Sequence, residues 1–166
     1  MTTTQDNLMA AFAGESQANR KYLAYARQAE KEGLGQIAKL FRAAAEAETI
    51  HALGHFGNAG GVKSTLENLA DAVAGETYEH TEMYPPMVAL AEQEGHKGKK
   101  MLGFALSAEK VHAGLFQQAL DALKAGADLS KMDVYLCPYC GDVEFGVPPE
   151  KCPICGAGKD KFQKIG

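Results

Sequence analysis

Apolar residues recur at helical spacing through the first 126 residues of the chain. Leu8 and Phe12 stand four positions apart, and Ile37, Leu40 and Phe41 repeat the pattern further along. The same segment is rich in alanine, leucine, glutamate, glutamine and lysine, which favour helix. The pattern therefore predicts helices throughout this segment.

Turn signals divide the segment into four helices. A turn with two glycines at residues 33–35 ends the first helix, and the glycine-rich stretch 57–61 ends the second. A capping box at residues 64–67 opens the third helix, and residues 95–98 separate it from the fourth. Gly126 suits the position just past the last helix.

Two consecutive prolines, Pro85 and Pro86, fall inside the third helix. Because proline has no N–H to donate, the pair should kink or restart a helix. The helix predicted over residues 64–94 is therefore expected to be interrupted there.

The character of the chain changes after Gly126. Residues 127–133 are predicted to be a linker, and residues 134–166 carry proline, glycine, tyrosine and all four cysteines with no helical period. A module of about 30 residues is too small to fold on a hydrophobic core alone, so a bound metal is expected to stabilise it. We therefore predict a helical domain over residues 1–126, the linker, and a β-poor, metal-bound module over residues 134–166.

Composition and charge narrow the possible functions. Hydrophobic residues make up 46% of the chain, enough for a buried core, and the net charge of -4 comes without any run of basic residues. Nucleic acid and anionic membranes are therefore not expected as partners. The polar N-terminus lacks the apolar core of a signal peptide, and no uninterrupted apolar stretch approaches about 18 residues, so we expect a soluble, cytoplasmic protein.

The helical segment contains a weak internal duplication with an offset of 61 residues. Residues 13–16 match residues 74–77, and residues 47–52 match residues 108–113. Each copy contains a lone glutamate followed 33 positions later by a Glu-x-x-His motif. These residues are Glu15, Glu48 and His51 in the first copy and Glu76, Glu109 and His112 in the second.

The spacing places the two glutamates of each copy at one height. The midpoint of each pair, Glu15 with Glu48 and Glu76 with Glu109, falls beside or just before a predicted glycine turn. Residues equidistant from the turn of an antiparallel helical hairpin lie at the same level. Stacking the two hairpins should therefore bring all four carboxylates to one level.

The duplicated motif favours a metal site. Glutamate and histidine three positions apart project from the same helical face. A single such pair on an alanine-rich helix is usually solvated, but four carboxylates buried together would repel one another unless cations lay between them. This ligand set is typical of ferritin-like di-iron and di-manganese proteins. Carboxylate and imidazole ligands suit iron or manganese, although other divalent ions could occupy the site.

The cysteines form two Cys-x-x-Cys-Gly motifs, at residues 137–141 and 152–156. In a chain without an export signal, this pattern indicates metal or redox use rather than disulfides. Tetrahedral thiolate ligation suits zinc and iron, and a zinc ribbon is the commoner use of the spacing. Iron is favoured here because redox-inert zinc would give the helical site no electron donor. The expected ligands are Cys137, Cys140, Cys152 and Cys155.

These residues resemble the rubrerythrin family over nearly the whole chain. The resemblance implies a mainly α fold, in which a ferritin-like antiparallel four-helix bundle is followed by a small rubredoxin-like metal-bound module. The motifs that carry it are GESQA at residues 14–18, ETIH at 48–51, GETYE at 75–79, TEMYP at 81–85 and EKVH at 109–112, with Cys-Pro-x-Cys-Gly twice in the tail.

The resemblance adds a seventh ligand, Glu79, one turn after Glu76. It implies that Glu79 and His51 exchange on one iron when the site is reduced, and that Tyr84 hydrogen-bonds near the site. Glu79, His51 and Tyr84 are therefore the catalytic candidates. The other implied roles are Glu15 on the same iron as Glu79, Glu76 and His112 on the second iron, and Glu48 and Glu109 as bridges.

The resemblance also implies a peroxidase that reduces hydrogen peroxide to water at the di-iron site. Electrons would arrive through the single iron of the four-cysteine site, from rubredoxin or another NAD(P)H-dependent reductase system. The chain has no G-x-G-x-x-G motif and so no visible nicotinamide site of its own. Because each helix runs on the order of 20 Å from turn to ligands, we expect a homodimer in which one tail serves its partner's bundle.

Two other functions stay open on the sequence alone. A ferroxidase or iron-handling protein would oxidise Fe(II) with little use for the tail. A non-enzymatic electron carrier would use the helical bundle only as a scaffold.

Overall fold

The computed structural model describes residues 2–166. Contacts between residues group the chain into two compact units, Met1–Lys63 and Ser64–Gly166. The described chain is mainly helical, as predicted from its hydrophobic pattern. The helical elements are α1 (Thr4–Lys31), α2 (Gly35–Asn58), α3 (Thr65–Tyr78), a π-helical segment (Glu79–Met83), α4 (Tyr84–Gln93) and α5 (Lys99–Lys124).

The first unit is an antiparallel hairpin of α1 and α2. The two helices approach closely because the residues between them are small: Ala26, Ala38 and Ala45 are buried. Near the open end of the hairpin, Phe12 stacks on Phe56 with ring centroids 4.7 Å apart. Gly33 makes the connecting turn with a φ of 76°, a conformation that side chains disfavour.

Capping boxes fix the starts of two helices. At α3 the Ser64 side chain accepts from the backbone of Glu67, and the Glu67 carboxylate accepts from Ser64 in return, as the sequence predicts. An equivalent pair, Thr3 with Asp6, begins α1 and was not predicted from the sequence. Each box satisfies N–H groups that have no partner inside the helix.

In the second unit, α3 and α4 lie against α5, and the helix that contains the two prolines is interrupted as predicted. Pro85 and Pro86 stand at the start of α4, where a missing N–H costs least. Their missing donors leave carbonyl groups one turn upstream without helical partners. The irregularity therefore precedes the prolines, as the π-helical segment Glu79–Met83.

The tail of the second unit carries an antiparallel sheet of three very short strands, β1 (Val134–Leu136), β2 (Val143–Phe145) and β3 (Gln163–Ile165). The strands lie in the order β2-β1-β3. Three of the four cysteines in the tail are buried, and Phe104 of α5 packs against them. The sulfurs thus lie where a larger domain would have a hydrophobic core.

The predicted domain boundaries, at residues 126 and 134, stay a prediction. The division into two units groups residues by contact and does not test which parts fold independently.

Among the described residues, no helix combines the length and the apolar character needed to cross a membrane.

Asn19 is the buried polar residue that ties the first hairpin together. Its side chain is 6% exposed, and its Nδ2 donates to the carbonyl oxygen of Ala45 at 2.7 Å and to Oγ1 of Thr49 at 2.8 Å. Both hydrogen bonds cross from α1 to α2. They fix the position of α1 along the axis of α2. They therefore also fix the relative positions of Glu15, one turn before Asn19, and Glu48, next to Thr49.

We expect Asn19→Ala to lower the free energy of unfolding by about 1–3 kcal/mol, because it removes two buried hydrogen bonds and leaves a small cavity. Urea unfolding followed by circular dichroism measures the change. Arg20→Ala, at the exposed neighbouring position, is the matched control and should stay within about 0.5 kcal/mol of the wild type. Equal losses in the two variants would contradict this role for Asn19.

Candidate metal sites

The α1–α2 hairpin brings three of the candidate ligands together. Glu15 of α1 and Glu48 and His51 of α2 each present a ligating atom, and these atoms lie within 4.8 Å of one another. Nδ1 of His51 lies 2.9 Å from Oε2 of Glu48. Nδ1 is therefore held by Glu48, and the rest of the His51 ring is open to solvent, since the side chain is 54% exposed.

The second unit repeats the arrangement with Glu76 of α3 and Glu109 and His112 of α5. Nδ1 of His112 lies 2.7 Å from Oε2 of Glu109 and 3.5 Å from Oε2 of Glu76. The Glu76 oxygen is buried and has no hydrogen-bond partner in the described part of the chain. A buried carboxylate oxygen without a donor is the environment that a cation would satisfy.

Crowding of carboxylates perturbs the titration of this cluster. Burial, reinforced by the neighbouring Glu109 carboxylate, raises the pKa of Glu76 to about 7. The same two causes raise the pKa of Glu79. In the absence of a cation these groups therefore retain protons at a pH at which exposed glutamates are ionised.

His112 is held at both ring nitrogens. Its Nε2 lies 2.8 Å from the carbonyl oxygen of Gly141, in the first cysteine motif of the tail. Because a carbonyl oxygen can only accept, Nε2 carries the proton and donates it. In the neutral ring, Nδ1 then has a free lone pair directed at Glu76 and Glu109, so this nitrogen is the one available to bind a metal.

Glu79 and Tyr84 flank the same cluster. Glu79 lies in the π-helical segment and, among the described residues, is outside the group of three converging ligands. Tyr84 lines a cavity of about 350 Å³ together with Glu109, His112 and the first cysteine motif. Burial and the nearby carboxylate of Glu109 raise the pKa of Tyr84, so its hydroxyl remains a hydrogen-bond donor.

The four cysteines converge in the tail. All four sulfurs lie within 4.8 Å of one another, and the Cys137–Cys155 and Cys140–Cys152 sulfur pairs are 3.5 Å apart. No disulfide joins them. Sulfurs that share a tetrahedral metal at about 2.3 Å stand roughly 3.8 Å apart, so the set fits one metal ion with little adjustment.

Backbone geometry prepares these sulfurs for a metal. The glycine after each motif has a positive φ, 86° at Gly141 and 79° at Gly156, which allows the tight turn. The Cys155 sulfur accepts from the backbone N–H of Ala157, which helps to lower its pKa although burial opposes the change. Burial raises the pKa of Cys152 to about 11, so a metal must displace a proton there.

Sequence reasoning missed two residues of these sites. Asp142 is completely buried beside the cysteines, and its Oδ2 accepts from Sγ of Cys152 at 3.3 Å. Phe104, near the N-terminal end of α5, packs against the cysteine cluster. A single sequence held one signal for the first, an acidic residue directly after a Cys-x-x-Cys-Gly motif, and none for the second, which depends on a long-range contact.

The described residues thus form three ligand groups, and the donor atoms of each group fit a metal. Two groups combine two carboxylates with one imidazole, the mixture that iron and manganese accept, and the third offers four sulfurs. The unpartnered Glu76 oxygen and the four converging sulfurs are both groups that a bound cation would satisfy. The arrangement can therefore support metal-based redox chemistry.

Comparison with known proteins matches both parts of the chain. The family model described as rubrerythrin matches residues 6–120, and the model described as the rubredoxin-like domain of rubrerythrin matches residues 135–163. Rubrerythrin-2 of Clostridium acetobutylicum is 39% identical, with 96% of this chain and 95% of that protein covered. Nigerythrin of Nitratidesulfovibrio vulgaris is also 39% identical, with 96% of this chain and 85% of that protein covered.

A solved structure supports the same relationship. The fully reduced, all-ferrous state of nigerythrin is 35% identical and superposes with a TM-score of 0.59, covering 99% of this chain and 88% of that one. The mainly α fold with a rubredoxin-like tail, predicted from the sequence, is confirmed by this match. The chain therefore belongs to the rubrerythrin family, and it carries the carboxylate and histidine ligands of a di-iron centre and the four cysteines of a rubredoxin-like iron site.

Proposed function

We propose that this protein is a peroxidase that reduces hydrogen peroxide to water, with electrons entering through the four-cysteine site from an NAD(P)H-dependent reductase system. Rubrerythrins are di-iron oxidoreductases associated with oxidative stress, and the chain carries the ligands of both kinds of iron site. The proposal is carried by one observation, the hydrogen bond from His112 Nε2 to the Gly141 carbonyl oxygen. That contact joins a ligand of the carboxylate site to the backbone beside Cys140.

The proposed di-iron centre uses both carboxylate groups of the chain. Each copy of the duplication supplies two carboxylates and one imidazole, and Glu79 gives the second copy one carboxylate more than the first. When bound, the irons supply the two electrons that, with two protons, convert hydrogen peroxide to two water molecules, and the four-cysteine iron supplies their replacements. The proposed ligands are Glu15, Glu48, His51, Glu76, Glu79, Glu109 and His112.

The two histidines are held differently, which supports unequal roles. His112 is 21% exposed and fixed at both nitrogens, whereas His51 is 54% exposed and held at Nδ1 alone. A ring held at one nitrogen can leave a metal at lower cost than a ring held at two. This contrast supports the exchange of His51 with Glu79, which lies in the irregular π-helical segment.

Tyr84 is proposed to orient peroxide and to donate a hydrogen bond to it. The cavity that Tyr84 lines with Glu109 and His112 holds about 350 Å³, and a water molecule needs roughly 30 Å³ in the liquid. A molecule with two oxygen atoms therefore enters easily. Because the raised pKa of Tyr84 keeps its hydroxyl protonated, the residue can donate at every physiological pH.

The His112–Gly141 contact also changes the expected path of electrons. Transfer between subunits stays a prediction. Within the second unit, the tail contacts His112 of the same chain at 2.8 Å, which favours a path within one chain. We propose that electrons pass from the tail to His112 within one chain. The homodimer stays a prediction, and a covalently enforced monomer with full turnover would show that it is not needed.

The experiment that tests the function is anaerobic reduction of the iron-loaded protein followed by stoichiometric peroxide. We expect the ferrous signal of the di-iron centre to disappear rapidly, and faster with peroxide than with oxygen. Mössbauer and optical spectra follow the two kinds of iron separately. A faster reaction with oxygen, or none with peroxide, would contradict the proposal.

Zinc in the four-cysteine site provides the matched control, because it keeps the tail folded but cannot carry electrons. The zinc-substituted protein should still react once with peroxide but should lose NAD(P)H-coupled turnover. If this form still oxidises added Fe(II) with oxygen at the full rate and turns over little peroxide, the result would favour an iron-handling protein. No peroxide-dependent reoxidation in either form would favour a simple electron carrier.

The raised pKa of Glu76 gives a pH-dependent prediction for the metal-free protein. Because the folded-state pKa, about 7, is above the ordinary value of 4.5, the stabilisation from this proton is fully present below pH 4.5 and is lost as pH rises through 7. Glu76→Gln cannot ionise. Relative to the wild type, its free energy of unfolding should therefore be higher at about pH 8 than at about pH 5.

Urea unfolding of the chelated proteins at the two pH values measures this difference. Glu82→Gln, which changes an exposed carboxylate of the π-helical segment, is the control and should show the same difference from the wild type at both pH values. If Glu76→Gln behaves like Glu82→Gln, charge repulsion at Glu76 does not oppose folding.

A further inference from the structure

A second cavity opens beside the most accessible cysteine. Cys155 is only partly buried, whereas the other three cysteines are buried. The cavity holds about 340 Å³, and its lining includes Lys100, Phe104, Tyr139, Cys155 and Lys161. It therefore offers access to the four-cysteine site at the sulfur that is least covered.

The charge around this cavity is opposite to that of the chain as a whole. Residues 97–100 and 150–166 contain seven lysines and two acidic residues, Glu150 and Asp160, although the whole chain has a net charge of -4. Three of the seven lysines, Lys159, Lys161 and Lys164, each pair with a carboxylate, and the other four keep the local balance positive. Lys97, Lys99 and Lys100 form no ion pair within the described chain. Because the two lysine groups are far apart in sequence, no basic run revealed them, and the fold brings Lys100 and Lys161 to one cavity.

Aromatic side chains connect the surface lysines to the sulfurs. The Lys100 ammonium lies 5.4 Å from the centroid of the Phe104 ring, and Phe104 itself packs against the cysteine cluster. Tyr139, inside the first cysteine motif, is 56% exposed. Aromatic rings are enriched in protein interfaces, where they contribute contact area, and complementary charges around them help to select the partner.

We propose that this surface, which we call the lysine face (Lys100, Phe104, Tyr139, Cys155 and Lys161), is the docking site for an acidic one-electron carrier protein. On docking, one electron leaves the reduced carrier and converts the ferric iron of the four-cysteine site to ferrous iron, and no bond or proton is transferred. The proposal rests on the proposed function in one respect, since it requires a redox-active iron in the tail.

A protein fits the lysine face better than a small anionic cofactor does. The cavity is open and near the lower end of the roughly 300–1,000 Å³ found for small-molecule sites, which bury most of their ligand. The positive charge also extends beyond the cavity, to Lys97 and Lys99 in the turn before and the first turn of α5. Long-range attraction between oppositely charged surfaces speeds the docking of two proteins.

Binding and electron entry can be tested with an acidic rubredoxin as the probe. Its zinc form, labelled with ¹⁵N, is titrated with the zinc-loaded full chain, and the dissociation constant is obtained from NMR shifts. Lys100→Glu/Lys161→Glu should weaken binding by about ten- to a hundredfold, and salt should weaken wild-type binding. Lys21→Glu/Lys39→Glu changes the net charge equally at two exposed lysines of the first unit and should leave binding nearly unchanged.

Kinetics on the iron-loaded proteins complete the test. Reduction of the four-cysteine iron by reduced rubredoxin should slow by a similar factor in Lys100→Glu/Lys161→Glu, while excess dithionite should still reduce the site completely. The visible spectrum of the iron site shows whether the tail has folded. If it has not, the milder Lys100→Gln/Lys161→Gln variant should show a smaller loss in the same direction.

Three results would overturn the docking proposal. The first is an equal loss of rubredoxin binding in both charge-reversed variants, and the second is no loss in either. The third is reduction by free flavin mononucleotide that depends on Lys100 and Lys161 as strongly as reduction by rubredoxin does. The peroxidase proposal is judged separately, by the reaction of the chemically reduced protein with peroxide. A lysine-dependent reduction of the tail therefore supports the docking site even if peroxide does not react.

Discussion

The structure of the second unit depends on the two-sided restraint of one imidazole. The Gly141 carbonyl oxygen can only accept a hydrogen bond, so it fixes the proton of His112 on Nε2 and leaves Nδ1 to face Glu76 and Glu109. The same bond holds the first cysteine motif against α5. One hydrogen bond thus selects the nitrogen that is available for a metal, places the tail, and connects the two kinds of candidate ligand set.

Local signals in the sequence account for most of the fold. Glycine at residues 33 and 126, the capping box at Ser64 and the 33-residue spacing of the glutamates are enough to place the helix ends and to bring Glu15 and Glu48 to one level. The prolines predict an interruption, but its position, at Glu79–Met83, depends on which upstream carbonyl groups lose their donors. The two converging groups of glutamate and histidine follow from the duplication, because repeated spacing carries information that one motif lacks, whereas Glu79 follows only from the family resemblance.

What could not be predicted depends on contacts between distant parts of the chain. The approach of Gly141 to His112 joins residues 29 positions apart, and nothing in either motif specifies it. Asp142 is buried because β1 and β2 bring its turn against the cysteines, although an aspartate after a glycine turn is usually exposed. The lysine face was missed for the same reason, since its two halves meet only in the folded chain.

The lysines that begin α5 carry a cost for folding. The N-terminal end of a helix has a partial positive charge, and α1 and α3 place an acidic capping residue there, whereas α5 begins with Lys99 and Lys100, has no acidic residue in its first turn and lacks a side-chain cap. Each such charge opposes the helix dipole by about 0.3–1 kcal/mol. This end of α5 is therefore poorly designed for stability, and selection for helix strength alone would have reversed its charge.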